Sequence, residues 1–294
     1  MKSGFVAIAG APNAGKSTFL NQVLGFKLAI TSDKPQTTRH RILGVHTDEL
    51  RQVVFFDTPG LHTPRRALNQ RMVQTALDAL QEVDAVLFMV EANPRGLAEA
   101  NAVAPLVVKA GRPTLVALNK VDLVNRKADL LPMLHQVDAW GSWSAVVPIS
   151  ALTGDGVERV LSELERLLPG GEPLFPADML TDLSERFLAA ELIREKVFRL
   201  TDREVPYAVA VTVDEYLEPG EEGRPTAIIA TIHVERQGQK AIIIGKGGAM
   251  LKQIGTAARL DLERLLSGPV FLSLFVRVEP KWSQQDKGLR KLGY

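Results

Sequence analysis

The sequence predicts an α/β domain, with a mostly parallel sheet covered by helices on both faces, followed by a smaller α+β module. Three observations carry this. Over residues 1–170, short and nearly continuous apolar runs alternate with longer amphipathic ones, the pattern of strands buried on both faces. A stretch punctuated by Pro169, Gly170, Gly171, Pro173 and Pro176 then breaks the rhythm. Beyond it the order becomes helix, strand, strand, helix, helix, strand. At 294 residues two domains are the natural expectation: 1–170, a linker over 171–182, and 183–294 with a basic C-terminal tail.

Composition narrows the class. With 46% hydrophobic and 23% charged residues the chain can bury a core, and disorder is excluded. The absence of cysteine excludes disulfides, thiolate zinc sites and cysteine nucleophiles, and it fits a reducing cytoplasm. The first apolar run, Phe5–Ala9, is too short for a signal peptide, and no run approaches the roughly 20 residues of a membrane span. A soluble chain, at most peripheral to a membrane, is expected.

The first predicted strand, Phe5–Ala9, runs into Gly10-Ala11-Pro12-Asn13-Ala14-Gly15-Lys16-Ser17, and a helix follows over Lys16–Leu24. A Gly-x-x-x-x-Gly-Lys-Ser loop between strand and helix is the phosphate-binding pattern in the context it requires. Its glycines let successive N–H groups curl around phosphate oxygens, and the helix adds its positive dipole end. Lys16 is expected to bridge the β- and γ-phosphates and the Ser17 hydroxyl to ligate Mg²⁺, with Thr18 beside them. Leu28–Val45 is polar and irregular, contains Pro35, and precedes another possible strand. An irregular segment of that length in a compact domain is usually functional.

The next strand, Val53–Phe56, delivers Asp57-Thr58-Pro59-Gly60 to the C-terminal sheet edge, where ligands of open α/β sheets gather. Asp57 can hold the Mg²⁺ shell through water there, and the Gly60 N–H can approach a γ-phosphate. A helix over Asn69–Gln81, a strand over Ala85–Val90 and a helix over Leu97–Lys109 continue the alternation. The strand Thr114–Leu118 then delivers Asn119-Lys120-Val121-Asp122. A carboxylate at Asp122 accepts from both N1–H and the 2-amino group of guanine, and adenine offers neither donor. A buried carboxylate left unpaired rejects adenine on the order of 10⁴-fold. Lys120 is expected along the base plane, and Asn119 is expected to tie the loops together and reach the base edge. After a helix over Lys127–Asp138 and a strand over Val146–Ile149, Ser150-Ala151-Leu152 fits the remaining base-contacting loop, with the Ala151 N–H directed at guanine O6. The helix Val157–Leu167 closes the domain.

Past the linker the expected elements are a helix near Leu183–Leu200, strands Tyr207–Tyr216 and Thr226–Arg236 joined by a solvated loop over Glu218–Pro225, a short helix, a helix over Gly248–Leu266 and a strand over Val270–Val278. Between the last two helices stands Ile244-Gly245-Lys246-Gly247-Gly248. Glycines of a Gly-x-x-Gly turn let a nucleic-acid backbone approach a helix N-terminus, Lys246 and Lys252 add charge, and Ile254 is spaced to pack beneath. From Arg236 onward eleven Lys and Arg face four Asp and Glu, against a net charge of +1 for the whole chain. That asymmetry points to a polyanion, which the resemblance of these elements to a KH domain implies is single-stranded RNA and not DNA.

Taken in this order, the motifs of residues 1–170 resemble the translation-factor class of P-loop GTPases, and the later elements resemble a type II KH domain. Together with Pro35-Gln36-Thr37-Thr38-Arg39-His40, they resemble the Era-type GTPases of the Era/TrmE-like subgroup over essentially the whole chain. The resemblance implies GTP and GDP as ligands with Mg²⁺, and hydrolysis of GTP. It implies binding near the 3′ end of 16S ribosomal RNA, a role in 30S subunit assembly, and a cytoplasmic location with some peripheral membrane association. It makes Thr31–Arg41 the first switch, with Thr38 the favoured Mg²⁺ ligand and Thr37 the near alternative. By the same resemblance Asn13 helps to bind K⁺ and joins Lys16, Thr38 and Gly60 in catalysis. Leu61 stands where many small GTPases carry a water-orienting glutamine. Either hydrolysis is slow or another group supplies that function, and His62 reads as a switch residue rather than a base. A nucleotide kinase, an RNA-binding scaffold without turnover and a GTPase with a protein-binding second domain are the competing readings.

Overall fold

The computed structural model describes residues 1–63, 67–219 and 224–294, so the centre of the expected loop Glu218–Pro225 lies outside the described residues. The chain divides into two compact units that part between Asp182 and Leu183.

The first unit contains β1 (Lys2–Gly10), α1 (Lys16–Leu24), β2 (Ile42–Thr47), β3 (Arg51–Asp57), α2 (Ala67–Gln81), β4 (Ala85–Glu91), α3 (Pro94–Lys109), β5 (Thr114–Asn119), α4 (Leu130–Asp138), β6 (Ala145–Pro148) and α5 (Val157–Leu167). The strands form one sheet in the order β2-β3-β1-β4-β5-β6. Only β2 runs antiparallel to its neighbour. The apolar runs become the central strands because β1, β3, β4 and β5 are covered on both sides: Val6–Ile8, Val53–Phe55, Ala85–Val90 and Leu115–Leu118 are buried. Helix starts follow local chemistry. Asn93 caps α3 by accepting from the Gly96 N–H at 2.7 Å, with Pro94 at the first helical position. The segment expected as helix from Lys127 begins with a 3₁₀ turn, and α4 starts at Leu130.

The chain after α5 lies along this unit. Buried Gln52 grips it, donating to Phe175 O at 2.8 Å and accepting from the N–H groups of Leu174 and Phe175 at 2.6 and 2.9 Å. Farther on, the Val45 N–H donates to Leu180 O at 2.8 Å and the Thr181 hydroxyl to Leu43 O at 2.7 Å. These bonds cover the free edge of β2, where unpaired backbone would otherwise offer itself to another strand.

The second unit contains α6 (Glu185–Leu200), β7 (Ala210–Leu217), β8 (Thr226–Val234), α7 (Gln237–Ile244), α8 (Ala249–Leu265), β9 (Val270–Val278) and α9 (Asp286–Lys291). Its sheet has the order β7-β8-β9, antiparallel then parallel. The expected strand from Tyr207 starts later because Pro206–Ala208 forms a 3₁₀ turn. The basic C-terminal stretch is not a free tail. Trp282 is buried and donates from Nε1 to Ala208 O at 2.9 Å, Tyr294 packs against its ring, and Leu289 is buried. Sparse apolar residues among charges concealed this element. No helix among the described residues is long and apolar enough to cross a membrane.

Candidate functional site

Five strand ends deliver polar groups to one edge of the first sheet: Gly10, Asp57, Glu91, Asn119 and the loop from Ser150. Strand β1 has β3 on one side and β4 on the other, so the loop leaving it sits where an open α/β sheet forms its crevice. Residues 10–17 wrap there by unusual backbone. Asn13 (φ 64°) and Gly15 (φ 96°) adopt left-handed conformations. A Cβ on Gly10 would stand 2.4 Å from Met89 O, and one on Gly15 2.1 Å from Asn119 Nδ2, so neither position accepts a side chain.

Lys16 is buried and its ammonium donates to Gly10 O at 3.2 Å and Ala11 O at 2.9 Å. Burial lowers its pKa to about 8, against an upward pull from the Asp57 charge. Asp57 is fully buried, and burial raises its carboxyl to about 6, opposed by Lys16 and by hydrogen bonds from Ser17 and Thr38. Ser17 Oγ donates to Asp57 Oδ2 at 2.6 Å and lies 2.9 Å from Thr38 Oγ1. Three oxygen-bearing side chains from a helix, an irregular loop and a strand end thus converge. Asp57 Oδ1 is buried without a hydrogen-bond partner among the described residues. That oxygen would suit a hard cation, and a hydroxyl–hydroxyl–carboxylate set fits Mg²⁺. Of the two threonines, Thr38 joins this cluster, whereas the Thr37 hydroxyl donates to Lys34 O at 2.8 Å.

Gly60 packs against the loop: a Cβ there would meet Pro12 N at 2.7 Å. Leu61 is buried in the core, with its N–H donating to Gly10 O at 3.0 Å. Its side chain therefore faces away from solvent as well as lacking a polar atom. His62 joins the two irregular segments, with Nδ1 2.8 Å from Gly60 O and Nε2 3.2 Å from Gln36 Nε2. Asn13 Nδ2 donates to Asp33 O at 2.7 Å. Thr18 follows in the first turn of α1, half-buried.

At the far end, Asn119 is buried and links two loops, donating to Ala14 O at 2.8 Å and accepting from the Ala151 N–H at 2.9 Å. This corrects the expectation that Ala151 aims its N–H at a base, since Asn119 Oδ1 already holds it. Ser150 shapes the same loop, accepting from the Thr153 N–H at 3.2 Å, and Leu152 is exposed. Asp122 is also exposed, in the turn Val121–Leu123, and is not the pocket-buried carboxylate expected. A short turn at the sheet edge lacks protein on its outer side. Sequence reasoning missed Glu91, whose carboxylate pairs with Lys120 Nζ at 2.8 Å. Its signal was an acid ending an otherwise apolar strand.

In the second unit, Gly245 (φ 72°) turns the chain from α7 into α8, and a Cβ there would stand 2.8 Å from Met250 N. Gly247 and Gly248 are also left-handed and have open space where a Cβ would stand. Lys246 is exposed, Ile244 half-buried and Ile254 fully buried. A groove of about 410 Å³ continues from Gly248, lined by Leu251, Lys252, Arg259, Leu272 and Leu274. An apolar floor with basic rims suits unstacked bases attached to a phosphate chain.

Comparison with known proteins adds to this geometry. A family model for a 50S ribosome-binding GTPase matches residues 5–120, and one for a KH domain matches residues 204–283. The chain is 52% identical to the GTPase Era of Geobacter metallireducens over 100% of its own length and 98% of that protein. The chain belongs to the Era family of GTPases. It is 50% identical to the Era of Geotalea uraniireducens, again over 100% and 98% of the two chains. A single-residue variant of Aquifex aeolicus Era bound to GDP·AlF₄⁻ superposes with a TM-score of 0.94 at 41% identity, covering 100% and 99%. An Era in complex with MgGDPNP and nucleotides 1506–1542 of 16S ribosomal RNA superposes with the same score at 40% identity and the same coverage. As an Era-family member the chain is a GTP-hydrolysing enzyme with a P-loop GTPase domain ahead of a KH domain.

Proposed function

We propose that this GTPase uses the Gly10–Ser17 loop and the Asn119–Asp122 turn to hold GTP with Mg²⁺, and binds single-stranded RNA at the 3′ end of 16S rRNA during 30S subunit assembly. The observation that carries the first half is the meeting of Ser17, Thr38 and Asp57 beside Lys16. The Gly245 turn over a basic groove, in a chain whose relative was crystallised with 16S rRNA nucleotides, supports the second and favours the small subunit.

When bound, Mg²⁺ neutralises charge developing across the β- and γ-phosphates. Ser17 and Thr38 would hold it through their oxygens and Asp57 through its free Oδ1 side. Lys16 would exchange its two loop carbonyls for phosphate oxygens, and contact with the triphosphate would restore the full charge that burial disfavours. The Gly60 N–H would read the γ-phosphate. Asp122 would accept from guanine, and the base, laid along the Lys120 stem, would supply the wall that the protein lacks there. That difference makes discrimination a property of the complex. Leu61 offers nothing to the attacking water, so intrinsic turnover is slow. Asn13, already bonded to Asp33 O through Nδ2, has its carbonyl oxygen to offer K⁺. Turnover in K⁺ against Na⁺ at fixed ionic strength tests this, and equal rates would remove Asn13 from catalysis.

GTP ordering the loop around Thr38 would alter RNA affinity, and RNA would alter nucleotide affinity by the same factor. RNA binding measured with GDP, with a non-hydrolysable GTP analogue and without nucleotide tests the coupling; identical affinities would refute it. The reading includes a cytoplasmic location with peripheral association at the inner face of the membrane, which cell fractionation tests.

A further inference from the structure

We propose that the sheet face turned away from the groove carries a second single-strand RNA surface, along edge strand β9, where Phe271 and Phe275 stack bases. The inference rests on the groove being an RNA site. Leu272 and Leu274 line that groove, and side chains alternate along a strand, so Phe271, Phe275 and Arg277 occupy the opposite face. Phe271 and Phe275 are each 57% exposed, unusual for aromatic rings that share one strand and one face. The parallel register sets them beside Ala227 and Thr231 of β8, neither bulky enough to cover a ring. Their α-carbons stand about 13 Å apart at the usual strand rise, room for a base on each ring.

Position and charge select the occupant. Strand β9 is an edge of the sheet order β7-β8-β9, so one strand underlies both the groove and the aromatic face. A polyanion leaving the groove need only turn around that edge to reach the rings. Arg277, exposed on the same face, supplies a cation there, with Glu279 beyond it paired to Lys291 at 2.7 Å. Asp214, which accepts from the Thr231 hydroxyl at 2.6 Å, and Glu215 are instead exposed on β7 at the other edge. Register joins Glu215 through Ile229 to the row of Ser273. The acidic side repels phosphate and confines the strand to β9. Aromatic rings beside an arginine are the elements that stack bases without reading sequence.

The test uses the full chain, RNA corresponding to nucleotides 1506–1542 of 16S rRNA, and nested truncations of it down to four nucleotides, each with 2-aminopurine replacing one base. Stacking of the size found on aromatic platforms predicts that Phe271→Ala and Phe275→Ala each weaken the long RNA by about 5- to 100-fold. Affinity for the shortest groove-binding truncation and the salt slope should stay as in the wild type, and Phe275→Tyr should restore 2-aminopurine quenching. Equal losses at both lengths, or none, would overturn the proposal. So would unchanged RNA binding with loss of self-association or of binding to anionic vesicles, which would assign the face to another partner. Lys246→Glu separates the two claims. If it spares the shortest RNA, the groove reading fails; if it abolishes that binding while the phenylalanine variants change nothing, only the second surface fails.

Discussion

Asp57 is a strained residue whose strain a bound cation and nucleotide should relieve, and Asp57→Asn makes that measurable. The carboxyl is fully buried, receives Ser17 Oγ on Oδ2, and is raised from 3.8 to about 6 chiefly by burial. Because the folded value lies above the unfolded one, its contribution to stability is present below about pH 4 and is lost as pH rises through 6. At pH 7 the ionised group costs the nucleotide-free fold on the order of 3 kcal/mol. Asparagine removes that cost and keeps an acceptor for Ser17; the attraction to Lys16 is already contained in the value of about 6, so the net gain is about 2–3 kcal/mol. For a unit of this size that corresponds to a rise of roughly 4–12 °C in melting temperature. Thermal melts in EDTA without nucleotide, at pH 4 and pH 7.5, should show the gain at the higher pH and little at the lower. With Mg²⁺ and GTP the order should reverse, because the variant lacks the carboxylate that the cation requires. A variant less stable than the wild type in EDTA, or one that keeps Mg²⁺-dependent GTP affinity, would refute this account.

Other substitutions test separate links. Gly15→Ala places a methyl 2.1 Å from Asn119 Nδ2 at a φ of 96°. Strain of about 1–3 kcal/mol and displacement of Asn119 should cut GTP affinity at least tenfold, as equilibrium binding would show. Trp282→Ala removes a buried ring and its bond to Ala208 O, and should destabilise the C-terminal unit by about 3–5 kcal/mol in denaturant unfolding. The same variant should keep wild-type affinity for GTP; a loss of both would show that Trp282 acts beyond its own unit. Asn119→Ala leaves the Ala14 carbonyl and Ala151 N–H without their shared partner, and should lower nucleotide-free stability by about 1–3 kcal/mol in thermal melts.

Much of this architecture was legible because its signals are local. The apolar runs that become β1, β3, β4 and β5 admit one reading when polar groups recur at their C-terminal ends, and α1 and α5 begin where their glycines end the preceding loops. Convergence across long sequence separations was harder to read. Nothing in the spacing of Thr37 and Thr38 says which hydroxyl approaches Ser17; that depends on the folded course of an irregular loop, in which Gln36 before them is left-handed (φ 63°). The partnership of Lys120 with Glu91, and of Ala151 with Asn119, belongs to loops brought together by strand order. The exposure of Asp122 was misjudged because chemistry that suits a base says nothing about what covers the carboxylate beforehand. At the C-terminus, a folded segment held by Trp282 was hidden by a run of lysines and arginines that resembles a solvated tail.

The central claim is that Asp122 selects the base while the loop around Lys16 and its oxygen cluster hold the phosphates. Calorimetric titration of the nucleotide-free chain with GTP, ATP and xanthosine triphosphate in Mg²⁺ buffer, repeated with Asp122→Asn, tests it most directly. The wild type should bind GTP at least about 100-fold more tightly than ATP, and the variant should lose GTP and gain the xanthine nucleotide, whose extra carbonyl needs a donor. Equal affinity of the wild type for GTP and ATP, or an Asp122→Asn variant with undiminished preference for guanine, would contradict it.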